Sequence, residues 1–186
     1  MSAPTLSLED RRRLLEAARR ALRAHFSGRS TPPPVDSAAV RTPGGVFVTL
    51  RARDGELRGC VGMMAATEPL EETVARMAVA AARSDARFDS VQADELPEIV
   101  IEISALGPLR EIGPDEVQVG RDGLLVREGG RQGVLLPQVA TEHGWDRETF
   151  LDKTCGKAGL PPSAWRRPRA KVFAFSATVF AEEQTR

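Results

Sequence analysis

The sequence has no tyrosine, only two cysteines and two histidines, and no lysine before position 153. The absence of tyrosine excludes that side chain as a catalytic acid. The two cysteines, Cys60 and Cys155, stand in unrelated sequence contexts, which predicts free thiols rather than a disulfide framework. Because free thiols are typical of a reducing compartment, we expect a cytoplasmic protein.

An excess of charge of either sign is also missing. Lys plus Arg number 26 and Asp plus Glu number 26, so the formal net charge is zero. This balance excludes a chain-wide basic field for nucleic acid, although a local basic patch is still compatible with it. No apolar run approaches the ~20 residues that cross a bilayer. The first 13 residues turn acidic and then basic before any apolar core, which is the wrong order for a signal peptide. We therefore expect no membrane association.

The length of 186 residues and the hydrophobic content of 41% favour one globular domain with a sizeable core. Size scaling predicts that about 70% of the unfolded surface is buried on folding. We predict a single domain over residues 1–186, with its core at about 10–182.

Hydrophobic periodicity and turn residues predict an irregular alternation of helices and strands. A first amphipathic helix begins after Ser7 and stops at Gly28, and Thr31–Pro34 is a stiff link. A hairpin turning at Asp54-Gly55, a second helix, a strand at Ile99–Ile103 and a hairpin around Gly129-Gly130 follow. A helix capped by Asp146 and a last strand from Val172 to Phe180 complete the order. It predicts an α+β fold with a largely antiparallel or mixed sheet flanked by helices.

The returning strand of the first hairpin reads Leu57-Arg58-Gly59-Cys60-Val61-Gly62. With this motif, the chain resembles the AmmeMemoRadiSam system protein A family, also called AMMECR-type proteins. The resemblance extends in collinear order over about residues 10–182 and includes the segments 45–50, 87–88, 95–96, 99–104, 120–124, 135–140, 144–145, 150–151 and 157–160. Two positions depart from the family pattern: Ala86 stands where proline is usual and Arg83 where phenylalanine is frequent.

The resemblance implies a compact α+β protein with a larger and a smaller lobe around a cleft. It also implies genomic association with a Memo-type protein, related to extradiol dioxygenases, and with a radical SAM enzyme. It does not indicate which reaction the protein takes part in or which cofactor it uses.

Strand alternation sorts the first hairpin onto two faces. If Asp54-Gly55 is a two-residue turn, Thr49 lies opposite Cys60, and Arg51 lies opposite Arg58. One face is apolar enough to be core, and the other carries Cys60 with these polar neighbours. Two opposed guanidinium groups predict a nearby carboxylate or a bound anion. Nearby positive charge also predicts that the thiol pKa of Cys60 lies below that of free cysteine.

We therefore expect this face to bind an anionic or polar small molecule. Cys60 is the candidate catalytic or contacting group, and Thr49, Arg51, Arg58, Gly59 and Gly62 are candidate substrate-binding residues. The alternative is structural: cysteine is often a small buried side chain, and strand glycines can serve tight packing against a helix.

Other chemistry finds weaker support. A Cys–His pair needs His25 or His143, and His143 precedes Gly144-Trp145 in a family-like segment. The scattered Cys and His residues lack the spacing of a zinc site, so we expect no metal. The glycine-rich stretches at 120–123 and 129–133 are more typical of turns than of phosphate loops.

A basic patch at Arg166–Lys171 beside Trp165 is the basis of a second hypothesis, an RNA- or protein-binding regulatory module without catalysis. A solvated loop is the commoner meaning of such a patch, and the acidic residues elsewhere do not favour nucleic acid. The sequence does not indicate the substrate or the oligomeric state.

Overall fold

The computed structural model describes residues 6–29 and 44–183. The predicted proline link at Thr31–Pro34 lies outside these residues. The described chain divides into two compact units. The N-terminal unit comprises the described residues up to Leu106 and those from Thr178 onward. The C-terminal unit comprises Gly107–Ala177.

The N-terminal unit consists of two helices and a four-stranded sheet. Its elements are α1 (Leu8–Ser27), β1 (Val46–Ala52), β2 (Leu57–Met63), α2 (Leu70–Arg83), a 3-10 helix (Ala93–Glu98), β3 (Ile99–Leu106) and β8 (Ala177–Ala181). The strand order is β2-β1-β3-β8, with β1 antiparallel to both of its neighbours. Apolar side chains of both helices and of the sheet form one buried cluster, including Leu22, Val48, Val74 and Ile101.

The predicted ends of the first helix are confirmed. The Ser7 hydroxyl accepts the Asp10 N–H, and the Asp10 carboxylate accepts the Ser7 N–H in return, which completes a capping box. Gly28 ends the helix with φ 67°, a left-handed conformation that favours glycine. Local sequence signals therefore set both ends of this helix.

The C-terminal unit contains the second four-stranded sheet. Its elements are β4 (Arg110–Glu111), a 3-10 turn (Pro114–Glu116), β5 (Gly123–Glu128), β6 (Arg131–Leu135), α3 (Pro137–Glu142), α4 (Arg147–Lys157), a 3-10 turn (Ala164–Arg166) and β7 (Lys171–Phe175). The order is β4-β7-β5-β6, and all three pairs are antiparallel. Asp146 caps α4 as predicted, accepting the N–H of Thr149.

The α+β class is thus confirmed, and the two sheets agree with the two lobes that the resemblance implies. The single last strand that we predicted over 172–180 is wrong in one respect. It is interrupted at Ser176, and its halves β7 and β8 belong to different sheets. The prediction of a single domain stays a prediction. Within the described residues, no helix combines the length and apolarity needed to cross a membrane.

The first hairpin keeps the predicted pairing at Cys60 but not at its turn. The Ala52 carbonyl accepts the Gly55 N–H, and the Ala52 N–H donates to the Glu56 carbonyl, so the loop has three residues rather than two. This loop shifts the pairing by one position, and Arg51 lies opposite Leu57. A bulge at Arg58 then restores the expected pairs. Arg51 and Arg58 are therefore not opposed, and the predicted repulsion between them is wrong.

Candidate functional site around Cys60

The two faces of the N-terminal sheet have different roles. On one face, Gly59 packs directly on α2, where an added Cβ would lie 2.1 Å from the Ala81 carbonyl oxygen. The other face carries Cys60 on β2, Thr49 opposite it on β1, and Glu102 opposite Thr49 on β3. Residues directly opposite each other in neighbouring strands share a face. We call Thr49, Cys60, Glu102 and Ser104 the thiol face.

Cys60 is held by two hydrogen bonds from different parts of the chain. The buried Thr49 hydroxyl lies 3.3 Å from Sγ and donates to it, and the Cys60 N–H donates to Oδ2 of Asp85 at 2.8 Å. Cys60 is only partly buried, whereas Cys155 in α4 is fully buried. Of the two cysteines, Cys60 is therefore the one with surface exposed to solvent.

Asp85, just after α2, connects Cys60 to an arginine. Its side chain is 7% exposed and accepts Nε–H and an Nη–H of Arg87 at 2.9 and 2.6 Å, as well as the Arg87 N–H. The Arg87 ion pair, together with the backbone N–H donors of Cys60 and Arg87, holds the pKa of Asp85 far below its usual range, against the effect of burial. Asp85 is thus a carboxylate that fixes the guanidinium beside the Cys60 strand.

Burial raises the pKa of the Cys60 thiol above its ordinary value. The Thr49 hydrogen bond and the Arg87 charge lower it, while Asp85 and Glu102 raise it, and burial dominates. Our prediction of a lowered thiol pKa is therefore wrong. The reason is that Arg51 and Arg58 are engaged elsewhere, and the lowering effect of Arg87 is opposed by Asp85 and Glu102 and outweighed by burial.

Arg51 and Arg58, the two arginines predicted to lie in the site, serve the fold around the turn. Arg58 forms an ion pair with Glu95. Its Nε and one Nη lie 2.9 and 2.7 Å from Oε1 of Glu95. Burial opposes the charge of Glu95, yet the Gln92 N–H and Arg58 outweigh it and lower the pKa of Glu95. Arg51 donates to the Gly55 carbonyl at 3.3 Å. These contacts account for both side chains without a ligand.

The two glycines of the motif are packing positions. Gly59 contacts the backbone of α2, as described above. At Gly62, an added Cβ would lie 2.3 Å from the Phe47 ring and 2.4 Å from the Val46 carbonyl. The close approaches that we inferred from these glycines are thus made by the protein itself. Because glycine has no side chain, only the backbone N–H and C=O groups of Gly59 and Gly62 could contact a ligand.

Sequence reasoning missed four members of the site: Asp85, Arg87, Glu102 and Ser104. A signal existed, because the segments 87–88 and 99–104 were among those that carry the family resemblance. What the sequence could not supply is the tertiary path. Asp85 reaches Cys60 across 25 positions of the chain, and Glu102 reaches it only through the pairing of β3 with β1.

The competing sites gain no support from the structure. The described residues contain no cluster of His, Cys, Asp and Glu that could hold a metal ion. Neither histidine is among the groups that act on the Cys60 thiol; His25 packs on Phe26, and His143 stacks on Trp145.

In the basic patch, three side chains are already ion-paired. Arg166 pairs with Glu148, Arg167 with Glu128, and Lys171 with Glu111. Arg166 also lies 4.0 Å from the centroid of the Trp165 ring. Because acidic side chains already neutralise these charges, the patch offers little net attraction to a polyanion.

Comparisons with known proteins agree with this architecture. The AMMECR1 family model matches residues 15–180. A protein of Methanothermobacter thermautotrophicus is 41% identical over 98% of this chain and 100% of its own, and TK0174 of Thermococcus kodakarensis is 43% identical over 93% and 90%. The crystal structure of the uncharacterized protein PH0010 from Pyrococcus horikoshii superimposes with a TM-score of 0.85 at 40% identity, covering 91% of this chain and 90% of that one. Sequence, fold and extent of the match agree: the chain belongs to the AMMECR1 family.

Proposed function

We propose that the thiol face binds an anionic or polar small molecule, with Arg87 as its anchor and Cys60 as the contacting or reacting group. The protein then serves as a catalytic or accessory component in the conversion of that molecule. The observation that carries this proposal is the convergence of four separate chain segments, at positions 49, 60, 85–87 and 102, on one partly exposed thiol.

Arg87 is suited to hold an anion. Its side chain is 54% exposed, and Asp85 uses only Nε and one Nη, which leaves the other N–H donors of the guanidinium unused by that carboxylate. Asp85 fixes the orientation of the planar group, and a fixed guanidinium is well suited to bind carboxylate or phosphate oxygens. Asp85 is therefore a positioning residue for the anchor.

The rest of the thiol face supplies polar groups beside the sulfur. Thr49 orients the thiol through its hydrogen bond, and Glu102 is the carboxylate of the adjacent strand. Ser104 is buried on the same face, and its hydroxyl has no hydrogen-bond partner among the described residues. Because a buried hydroxyl without a partner is costly, it is a ready donor for a polar ligand atom or a bound water.

The thiol is protonated at neutral pH, since burial raises its pKa. A nucleophilic role therefore requires that the bound molecule or a proton acceptor remove this proton. Glu102 raises the thiol pKa and so disfavours the thiolate, and neither histidine is among the groups that act on the thiol.

The proposed pathway rests on what the family resemblance implies. We infer that the small molecule belongs to a pathway that includes a Memo-type protein and a radical SAM enzyme. The alternative is a regulatory module that uses the same face to bind a protein or RNA. Of the two forms of this alternative, binding of a protein would use the thiol face. Binding of RNA is disfavoured, because Arg166, Arg167 and Lys171 of the basic patch are already ion-paired.

The proposal is tested with a library of phosphorylated and carboxylated metabolites, screened by the rise in melting temperature of the purified protein. We expect ligands that stabilise the wild type to lose most of that effect in Arg87→Gln. They keep it in Arg83→Gln, a matched control four residues away whose side chain is also exposed. If the ligands raised the melting temperature of both variants equally, Arg87 would not be the anchor for the anion.

The same ligands are then incubated with the protein and its Memo-type and radical SAM partners, and products are followed by mass spectrometry. An enzyme loses turnover on Cys60→Ser. A binding module instead retains the chemistry of its partners and loses only affinity. A Cys60→Ser variant that is unchanged in turnover, in ligand affinity and in partner affinity contradicts the proposal.

A further inference from the structure

A groove lies within the C-terminal unit and shares no residue with the thiol face. It has a volume of about 530 Å³ and runs along α4. This size falls in the range of small-molecule sites, roughly 300–1,000 Å³. Its lining comprises Leu135, Trp145, Thr149, Asp152, Lys153, Gly156, Lys157 and Pro162.

One part of the lining is apolar and aromatic. Leu135, Trp145 and Pro162 present hydrocarbon surface, and Trp145 is the flat element among them. The Trp145 ring is stacked on His143 at 4.7 Å between centroids, and Nζ of Lys153 lies 5.7 Å from its centroid. The ring is therefore braced in position before any ligand arrives.

The other part of the lining is positively charged. Lys153 and Lys157 stand four positions apart on α4, so both project from the same side of the helix. Both are exposed, and neither has an ion-pair partner among residues 6–29 and 44–183. By contrast Lys171, the third lysine of the chain, is paired with Glu111 at 3.0 Å.

The acid in the lining, Asp152, is already used by the fold. Its Oδ1 accepts the Ser163 N–H and the Trp165 Nε1–H, both at 2.7 Å. Ser163 has φ 61°, a left-handed conformation that a serine rarely adopts, and this hydrogen bond helps to hold it. The carboxylate is thus committed to the loop after α4, and the groove retains an excess of positive charge.

We propose that this groove binds an organic anion with an aromatic body, such as an aryl-substituted carboxylic acid. The ring packs against Trp145 between the apolar walls, and the carboxylate lies between the ammonium groups of Lys153 and Lys157. The site is independent of Cys60, so the proposal stands or falls separately from the one above.

The test uses three probes and the full-length chain. 3-Phenylpropionate carries both features, 3-phenylpropionamide lacks the charge, and propionate lacks the ring. Binding is followed by ¹⁵N–¹H NMR through the Trp145 indole and the backbone amides of α4. We expect saturable shifts for 3-phenylpropionate only, centred on these signals.

Variants then identify the charges. The double variant Lys153→Gln/Lys157→Gln should bind 3-phenylpropionate about tenfold more weakly, since each exposed pair contributes modestly. Lys171→Gln is the matched control and should bind as the wild type does. All three side chains are exposed, so folding is not at stake. No saturable shift, equal binding of the amide, or an unaffected double variant overturns the proposal.

Discussion

In both units a helix packs closely on the sheet at a strand glycine. The units differ in where their polar and charged side chains are exposed. In each, a strand glycine lets a helix approach to backbone contact: Gly59 lies against Ala81 in the N-terminal unit, and Gly133 lies against Ala158 in the C-terminal unit. The N-terminal unit keeps its polar groups on the sheet face away from that contact. The C-terminal unit instead places its exposed charges along the helix.

The comparison changes the meaning of the Leu57–Gly62 motif. Because successive strand residues point to opposite faces, one short motif contains both packing and chemistry. Gly59 serves the helix contact, Gly62 accommodates Phe47, and Cys60 lies between them on the thiol face. The glycines are thus explained by packing, while the cysteine is not.

The largest expected effect comes from filling either glycine contact. Gly59→Ala and Gly133→Ala place a Cβ 2.1–2.3 Å from helix backbone atoms, which cannot move as a flexible side chain would. We expect each to lose about 3 kcal/mol of unfolding free energy, the upper range of overpacking. Urea unfolding measures the loss.

Gly156→Ala is the matched control for these variants. Gly156 lies in α4 with no atom within 4 Å of an added Cβ. Alanine there should gain up to about 1 kcal/mol through helix propensity. If Gly59→Ala and Gly156→Ala proved alike in stability, the shared packing device would be refuted.

The next largest loss of stability is expected from replacing either of the two buried aspartates that accept hydrogen bonds from loop residues. Asp85 accepts N–H groups of Cys60 and Arg87, and Asp122 of the C-terminal unit accepts those of Gln118 and Arg121. Replacing either by Asn should cost about 1–3 kcal/mol at pH 7, because a buried acceptor of charged donors is lost. The exposed Asp89→Asn should cost nothing measurable.

The Asp85 variant also has a pH signature. The pKa of Asp85 is lowered in the folded protein, so its contribution is present above the unfolded pKa and is lost as pH falls through the folded one. The stability difference between wild type and Asp85→Asn should therefore narrow below about pH 4. A difference that is constant down to pH 2 argues against an ionised Asp85.

Much of this organisation could be predicted from local signals. The caps Ser7 and Asp146 and the stop at Gly28 follow from short sequence patterns. The loop and bulge around Arg58 could not, because a three-residue turn and a two-residue turn share the Asp-Gly signal. The extra loop residue and the bulge shift the strand pairing in opposite directions, so the predicted pairing is correct at Cys60 and wrong at Arg51.

The composition of the site depends on longer-range contacts. Asp85 and Arg87 look like an ordinary charged loop in the sequence, and their role appears only when the end of α2 is placed beside β2. Likewise, the thiol pKa depends on how much of Cys60 is buried, which hairpin alternation does not determine. The groove along α4 draws on residues from 135 to 162 and has no motif of its own.

The most direct measurement is the pH dependence of iodoacetamide alkylation at each cysteine of the folded protein, resolved by mass spectrometry. Cys60 should react and the fully buried Cys155 should not. Because Arg87 lowers and Glu102 raises the thiol pKa, Arg87→Gln should slow alkylation at neutral pH and Glu102→Gln should accelerate it, each by about threefold. Equal protection of both cysteines, or a Cys60 rate indifferent to both variants, would contradict an accessible thiol governed by these charges.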